Sequence, residues 1–323
     1  MIADRMEEVK YRANRQPLVG PGGIDAHVRD MTATISVDVT LAKVQQTLAE
    51  HGQWVPIDGD PGQSIGTLVS SDSTGPLRLG YGAWRDLLLG VQFTNGAGEL
   101  ITAGGRTVKN VAGYDLTKFM VGQHGIFGRL VTITTRTYRR PAGALLARHE
   151  PRPQLVATWI PTSLRPQWAL LTRDDLFCGY LGDEATIEFY RSALAAIPNA
   201  QVFPRTLDQE MEHRNSLWRP RGAVTFRASV PPGAVQTLAE SLPELSWSAD
   251  PAFGIVLGSC AGEAMDSVRQ AANRARGTVK FFDGPYGAPI ELSTTPEERQ
   301  IIERLKRAFD PENTLNPLPW RRS

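Results

Sequence analysis

Two patterns of apolar residues follow one another near the start of the chain. In residues 31–39, apolar residues alternate with hydroxyl-bearing or acidic ones, which predicts a strand with one buried face. After Thr40, the apolar residues Leu41, Val44 and Leu48 recur at helical spacing. Threonine is a preferred N-cap residue, so a helix is expected to begin directly after Thr40. This part of the chain is therefore predicted to mix strands with helices.

A β-hairpin is predicted further along. Residues 87–93 and 99–102 are strand-like and flank Asn95-Gly96, which is the strongest short-range hairpin signal. Residues 130–138 are again strand-like, because they contain a run rich in threonine and other β-branched residues. The sequence Arg-Arg-Pro at 139–141 breaks this pattern, and we place a domain boundary after residue 141.

Residues 142–294 show a different pattern, in which strands and helices interleave. Strands are predicted at 168–172, 176–181, 223–230, 253–258 and 278–282, and helices at 184–197, 234–242 and 262–275. This spacing predicts an α+β layer, in which one antiparallel sheet carries helices on one face. We also expect His213 to lie on a solvated helix face, since its neighbours at 210–214 are mostly charged.

The C-terminal segment contains the best-specified helix of the chain. Thr295 is the predicted N-cap, Pro296 occupies the first helical position, and Glu298 completes a capping box. The apolar residues Ile301, Ile302, Leu305 and Phe309 recur at helical spacing. They are expected to form the buried face of the helix.

Charge and composition narrow the range of functions. Lysine and arginine number 35 against 34 acidic residues, so neither nucleic acid nor an anionic membrane is an expected partner. The two cysteines cannot ligate an ordinary iron–sulfur cluster, which takes about four thiolates. The amino-terminal residues do not resemble a signal peptide, and no stretch approaches about 18 apolar residues. We therefore expect a cytoplasmic protein with no transmembrane segment.

The densest glycine region is residues 104–128. Within it, Gly122, Gly125 and Gly128 recur every three residues, directly before the strand predicted at 130. Glycine allows main-chain amides to approach a planar ring or a diphosphate closely. The order of elements does not fit a dinucleotide-binding Rossmann fingerprint, and the P-loop motif is missing from the sequence. Tight turns and a ligand cradle both remain open as interpretations of these glycines.

A resemblance to a known family rests on two motifs. Residues 109–116 read Lys-Asn-Val-Ala-Gly-Tyr-Asp-Leu and precede the three spaced glycines, and residues 309–317 read Phe-Asp-Pro-Glu-Asn-Thr-Leu-Asn-Pro. Together they resemble the signature of the vanillyl-alcohol-oxidase/p-cresol-methylhydroxylase (PCMH) flavoprotein family, and within it the FAD-binding subunits of glycolate oxidases. Glycine-rich loops at 20–25 and 58–86 are similar to other parts of the same pattern. The resemblance covers most of residues 18–140 and 296–318.

The resemblance implies an α+β fold with three parts. Residues 1–141 would form a PCMH-type FAD-binding domain of two α+β subdomains. Residues 142–294 would form an α+β cap domain with an antiparallel sheet on the substrate side, and residues 295–323 a helix and tail that return to the FAD domain. FAD would be bound non-covalently, because the histidine or cysteine that carries a covalent flavin in the family is not evident.

The same resemblance implies the residues that contact FAD. The first loop would hold the diphosphate through Gly22 and Gly23, although Ile24-Asp25 replaces the family's hydroxyl residue and the connection to Met31 is short. Either the amino end is truncated relative to the family, or this loop holds FAD more loosely. Near the diphosphate and ribityl chain, the expected contacts are Ile65, Gly66, Thr67, Ser70, Ser71 and Gly75, with Tyr81, Gly82 and Asp86 beside them. The residues expected against the flavin are Asn110, Gly113, Tyr114 and Asp115, with Asn316 near its ring, and those expected near the adenine are Gly125 and Gly128. Lys109 would lie at the flavin edge, against a substrate carboxylate, or simply solvated on its loop.

The chain departs from the family where the substrate would be oxidised. Glycolate and D-lactate dehydrogenases of the family carry a His-x-Gly-Asp-Gly-Asn-x-His run that helps a metal to hold the hydroxy acid, and none of the five histidines belongs to such a run. We therefore expect no metal site and assign no catalytic residue.

The favoured expectation is an oxidoreductase subunit that relays electrons from a homologous flavin-containing catalytic subunit, in a glycolate oxidase-like complex with a separate iron–sulfur subunit. A self-sufficient FAD-dependent dehydrogenase of another small hydroxy acid or alcohol is the first alternative. Its base would lie among the tyrosines or arginines of the cap, such as Tyr180, Tyr190 and Arg227. The second alternative is a scaffold subunit that has lost FAD.

Overall fold

The chain divides into two compact units. The structure, a computed structural model, describes residues 12–13, 16–105, 115–218, 221–242, 245–284, 289–291 and 295–318. The first unit takes its described residues from 1–74, 83–140 and 293–323, and the second takes them from 75–82 and 141–292. Within the described residues, no helix is both long and apolar enough to cross a membrane.

The first unit is built on a six-stranded antiparallel sheet with the strand order β1-β6-β5-β7-β3-β2, beside a short β4–β8 pair. Its strands are β1 (Arg12–Ala13), β2 (Ile24–His27), β3 (Thr32–Ser36), β4 (Gln53–Trp54), β5 (Leu88–Thr94), β6 (Leu100–Gly104), β7 (Arg129–Arg136) and β8 (Tyr138–Arg139). Its helices are α1 (Leu41–Ala49), α2 (Ile65–Ser70), α4 (Trp84–Leu87), α5 (Leu116–Phe119) and α11 (Pro296–Phe309).

Several local predictions in this unit are confirmed. Thr40 caps α1 by accepting a hydrogen bond from the Lys43 backbone N–H over 3.3 Å. Thr295 and Glu298 form the predicted capping box at the start of α11. The predicted hairpin joins β5 to β6 through a turn over residues 95–99. These features depend on neighbouring residues, which is why the sequence reveals them.

Two burial predictions in the first unit are wrong. Strand β3 was expected to have a solvated face, yet Thr32, Thr34 and Ser36 are as buried as the apolar residues between them. The hydroxyl of Thr34 lies 3.0 Å from that of Thr134 on the neighbouring β7, so these two buried hydroxyls satisfy one another by a hydrogen bond inside the sheet. On α11, Ile301 was expected to be buried and is 54% exposed.

The second unit is built on a nine-stranded antiparallel sheet with the strand order β12-β9-β11-β10-β14-β15-β13-β16-β17. Its strands are β9 (Gly143–His149), β10 (Trp168–Leu171), β11 (Leu176–Gly182), β12 (Gln201–Arg205), β13 (Val224–Ser229), β14 (Ser246–Asp250), β15 (Ile255–Cys260), β16 (Thr278–Asp283) and β17 (Pro289–Glu291). Its helices are α3 (Arg78–Tyr81), α6 (Gln154–Trp159), α7 (Glu184–Ala195), α8 (Leu207–Trp218), α9 (Val235–Glu240) and α10 (Met265–Arg274).

The antiparallel sheet of this unit is confirmed, but its helices do not all lie on one face. Helices α6, α7, α9 and α10 share one apolar core with the sheet. Helix α8 packs on the opposite face, where Arg214 lies over Trp168 and the ring of His213 meets Phe177 edge-on. The helix predicted to be solvated around His213 therefore has a buried charged face, in which Arg214 donates to Glu210.

Candidate functional site

The amino end of α2 is fastened to the segment that follows β3. The backbone N–H of Ile65 donates to Val39 O and that of Gly66 to Val37 O, both over 2.8 Å. The N–H of Thr67 donates to the Ser64 hydroxyl over 3.2 Å. These amides are therefore occupied within the protein. Ile65, Gly66 and Thr67 hold their loop in place, and they do not offer their N–H groups to a diphosphate.

Gly66 is required by packing. A Cβ atom at this position would lie 2.9 Å from Val37 Cβ and 3.1 Å from Val37 O, which is closer than side chains tolerate. At the other end of α2, the Ser71 hydroxyl donates to Thr67 O over 2.8 Å. The α2 segment is thus rigidly held at both ends.

The spaced glycines form a turn that caps the carboxyl end of α2. The N–H of Gly122 donates to Val69 O over 3.0 Å, and that of His124 donates to Ser70 O over 2.9 Å. Gly122, His124 and Gly125 all have positive φ angles, of 75°, 51° and 75°. A tight turn of this kind favours glycine. The structure thereby brings together the loop of Ser70 and Ser71 and the loop of Gly125.

The C-terminal tail joins the same turn through Asn316. Its backbone N–H donates to Gly125 O over 3.1 Å, and its side-chain Nδ2 donates to His124 O over 2.7 Å. The Asn316 side chain is nevertheless exposed. Three stretches far apart in the sequence, namely α2, the glycine turn and the tail, therefore meet in the first unit. This junction is the candidate functional site.

Gly128 has a packing role within the core beside this junction. A Cβ at Gly128 would lie 2.6 Å from the Phe93 ring. The turn is also braced by Gln123, whose side chain donates to Gly128 O and accepts from the Phe127 N–H, both over 3.0 Å. Sequence reasoning missed Gln123, and its position inside the glycine motif is the signal that could have identified it.

The first glycine loop is organised by an aspartate that sequence reasoning also missed. The N–H of Gly22 lies 3.1 and 3.0 Å from the two carboxylate oxygens of Asp38. The Gly23 N–H closes a turn by donating to Gly20 O over 3.0 Å. Hydrogen bonds from the Ser36 side chain and the Gly22 backbone lower the pKa of Asp38. Asp38 therefore places a negative charge where the resemblance implies a diphosphate.

The remaining residues expected to contact FAD are divided between the second unit, the first unit and the part of the chain outside the described residues. Gly75, Tyr81 and Gly82 belong to the second unit, whereas Asp86 belongs to the first and accepts from the Ala83 N–H over 2.9 Å. Asp115 caps α5 by accepting from the Lys118 N–H over 3.1 Å. The other four expected contacts lie outside the described residues: Lys109, Asn110, Gly113 and Tyr114.

Several glycines of the first unit leave open space beside the main chain. At Gly20, Gly22 and Gly105, a Cβ would meet no atom within 4 Å, so there is open space beside the main chain at these positions. The N–H groups of Gly22 and Gly105 donate to Asp38 and to Leu89 O. A ring or a diphosphate can lie against main chain of this kind. The first unit thus offers open glycines in addition to the packed glycines that shape the turn, and its residues fit FAD.

Two of the three side chains considered as a substrate base are unsuited to that role. Tyr180 is fully buried and Tyr190 is 9% exposed, and their rings pack 4.6 Å apart in the core of the second unit. Burial raises the pKa of the Tyr180 hydroxyl, so the group stays protonated at neutral pH and no phenolate is available to accept a proton. Arg227 is half-buried on β13.

One family model and several known proteins are similar to this chain. The family model described as an FAD binding domain matches residues 22–104. The glycolate oxidase subunit GlcE of Escherichia coli is 34% identical over 297 residues, which cover 89% of this chain and 81% of GlcE. The glycolate oxidase subunit GlcD of Bacillus subtilis is 24% identical, over 89% of this chain and 75% of GlcD. A mitochondrial D-lactate dehydrogenase of Arabidopsis thaliana is 31% identical, over 38% of this chain and only 21% of that enzyme.

Solved structures agree on the fold. An alkyldihydroxyacetonephosphate synthase matches with a TM-score of 0.67 at 15% sequence identity, over 95% of this chain and 66% of that one. A second crystal form of the same synthase gives a TM-score of 0.65 and is matched over 65% of its length. The chain therefore spans about two thirds of these structural neighbours. At this identity the match indicates a shared fold and no more.

Proposed function

Because the chain belongs to the FAD-binding oxidoreductase family of the glycolate oxidase subunits GlcE and GlcD, we propose that it is the FAD-binding subunit of a complex that oxidises glycolate or a similar 2-hydroxy acid. The FAD is held non-covalently. A bound flavin supplies two-electron and one-electron redox chemistry, and the protein supplies its binding and orientation.

The observation that supports this proposal is the junction of α2, the glycine turn and the C-terminal tail. Asn316, which is exposed and hydrogen-bonded to His124 O, is proposed to face the flavin ring. Ser70 and Ser71 lie at the end of α2 next to the turn and are proposed to face the ribityl chain. Gly22 and Gly23 are proposed to contact the diphosphate.

The oxidation of substrate is assigned to a partner subunit. Removing a hydride from a hydroxy acid requires a base or a metal that takes up the hydroxyl proton. The chain lacks the family's histidine run, and the two candidate tyrosines are buried. We therefore propose that a homologous flavin subunit binds the hydroxy acid and that this chain relays its electrons. We further propose that the electrons pass to a separate iron–sulfur subunit. The two cysteines of this chain are too few to ligate an ordinary cluster themselves.

The proposal is tested with the purified chain and with the reconstituted complex. We expect the chain alone to bind FAD in a one-to-one ratio, with the two absorption bands of a flavin, and to show no glycolate-dependent dye reduction. Glycolate-dependent dye reduction should appear when the partner subunits are added. Glycolate-dependent reduction by the chain alone would show that it is self-sufficient. A colourless protein that does not bind added FAD would show that it is a scaffold.

A further inference from the structure

The carboxyl end of α11 contains a buried charged pair. Lys306 and Asp310 lie one helical turn apart, both side chains are buried, and the ammonium group donates to the carboxylate. Removing two charged groups from water is costly, and the cost is offset only where additional hydrogen bonds satisfy both groups. The partners of each group therefore show what the pair holds in place.

Lys306 holds two main-chain segments that are distant in sequence. Its Nζ atom lies 3.0 Å from Ile126 O in the glycine turn and 2.9 Å from Asn316 O in the tail. An ammonium group has three hydrogen atoms to donate, and Asp310 takes the third. All three donors are thus used inside the protein, at the point where the turn meets the tail.

Asp310 fixes the tail from the other side. Its Oδ1 atom accepts from the Thr314 N–H over 2.7 Å, and its Oδ2 atom accepts from the Leu315 N–H over 2.9 Å. These two amides directly precede Asn316. The charged pair therefore fixes the main chain of Asn316 at both its amide side and its carbonyl side, while the Asn316 side chain stays exposed.

We propose that Lys306 is a positioning residue for FAD, which acts by fixing Asn316 and the turn at 124–126 in the geometry in which they contact FAD. This inference rests on the proposed function. Lys306 itself is buried, and its three donors are used within the protein, so we expect it to act on FAD only indirectly. Its effect passes through the two carbonyl groups that it binds, so its loss should change how the flavin is held before it changes whether the unit folds.

The test removes both charges together, in Lys306→Met/Asp310→Asn, so that no unpaired charge is left buried. The matched control is Arg214→Met/Glu210→Gln, because Glu210 and Arg214 are also a buried pair one turn apart, on α8 of the second unit. Each purified protein is titrated with FAD, and its circular dichroism and its bound-flavin absorption spectrum are recorded.

We expect the Lys306 double variant to keep its circular dichroism spectrum and to bind FAD at least about tenfold more weakly, with a flavin spectrum closer to that of free FAD. The control pair should leave both the FAD affinity and the flavin spectrum unchanged. An unchanged affinity and spectrum in a folded Lys306 double variant would overturn the inference.

Two further measurements keep the outcomes distinct. If the double variant does not fold, Lys306→Arg takes its place, because arginine retains the charge beside Asp310 but directs its donors differently. An altered flavin spectrum then supports the inference, and an unaltered one overturns it. If the wild-type protein itself binds no FAD, the proposed function fails, and this inference fails with it.

Discussion

The side chain of Asn316 occupies the space that a Cβ atom on Gly125 would need. A Cβ built on Gly125 would lie 2.6 Å from Nδ2 of Asn316, and the same asparagine donates its backbone N–H to Gly125 O over 3.1 Å. The absence of a side chain at Gly125 therefore allows the tail to lie directly on the glycine turn. The glycine is needed for this contact even before any cofactor is considered.

Gly125→Ala should displace Asn316 and weaken FAD binding. The substitution introduces a clash with Asn316 Nδ2 and also places alanine at a φ of 75°, which costs roughly 1–2 kcal/mol by itself. Gly98→Ala is the matched control, because Gly98 has a φ of 79° but no atom within 4 Å of its Cβ position. Titration with FAD should show a loss of affinity only for Gly125→Ala. Equal losses in both variants would mean that backbone strain, and not Asn316, determines binding.

Asp38→Asn should tighten FAD binding. The Gly22 N–H now donates to the Asp38 carboxylate, so a diphosphate at this loop must compete with a negative charge. Asparagine retains an acceptor for Gly22 but removes the charge. We expect a several-fold lower Kd for FAD, with the larger difference at low salt because added salt screens the repulsion. A Kd equal to that of the wild type would mean that Gly22 and Gly23 do not contact the diphosphate.

The sequence predicted those features that depend on neighbouring residues. The caps at Thr40 and Thr295 and the hairpin around Asn95-Gly96 arise from residues within one or two turns of each other. The alternation in β3 was also real, but it could not show that the polar residues would be buried too, with Thr34 hydrogen-bonded to Thr134 of the neighbouring β7. A local pattern gives the period of an element, whereas burial depends on what the rest of the chain places beside it.

The residues that organise the candidate site were less visible in the sequence. Asp38, Gln123 and Lys306 each bind main-chain groups, and every residue type carries the same main-chain carbonyl, so residue identity alone does not show which main-chain group a side chain binds. The spacing of Lys306 and Asp310 by four residues on a helix was a detectable signal of an ion pair. Glu210 and Arg214 have the same spacing. Both pairs are buried, although their charge alone would predict side chains exposed to solvent.

Phe309→Ala should destabilise the first unit and weaken its hold on FAD. Phe309 is 7% exposed, its ring packs against Phe93, Phe119 and Phe127, and its carbonyl accepts the Gly96 N–H over 2.8 Å. Truncating a buried phenylalanine costs about 3–5 kcal/mol. Urea titration should show a loss of this size, against less than about 1 kcal/mol for Phe189→Ala, since Phe189 is 49% exposed. Similar losses in both variants would contradict the packing assigned to α11.

The Lys306–Asp310 pair should also determine how the protein responds to acid. Burial opposes the charged form of Asp310, but hydrogen bonds from Lys306, Leu315 and Thr314 outweigh it, and the pKa of Asp310 falls from 3.8 to about 2. A carboxyl group whose pKa is lower in the folded state stabilises the fold above the unfolded-state pKa. That contribution is lost as the pH falls from about 4 to about 2. Thermal unfolding of Asp310→Asn should therefore show a lower midpoint than the wild type at neutral pH, and the two midpoints should converge toward pH 2. A gap that stays constant between pH 5 and pH 2 would mean that the Asp310 charge does not stabilise the folded state.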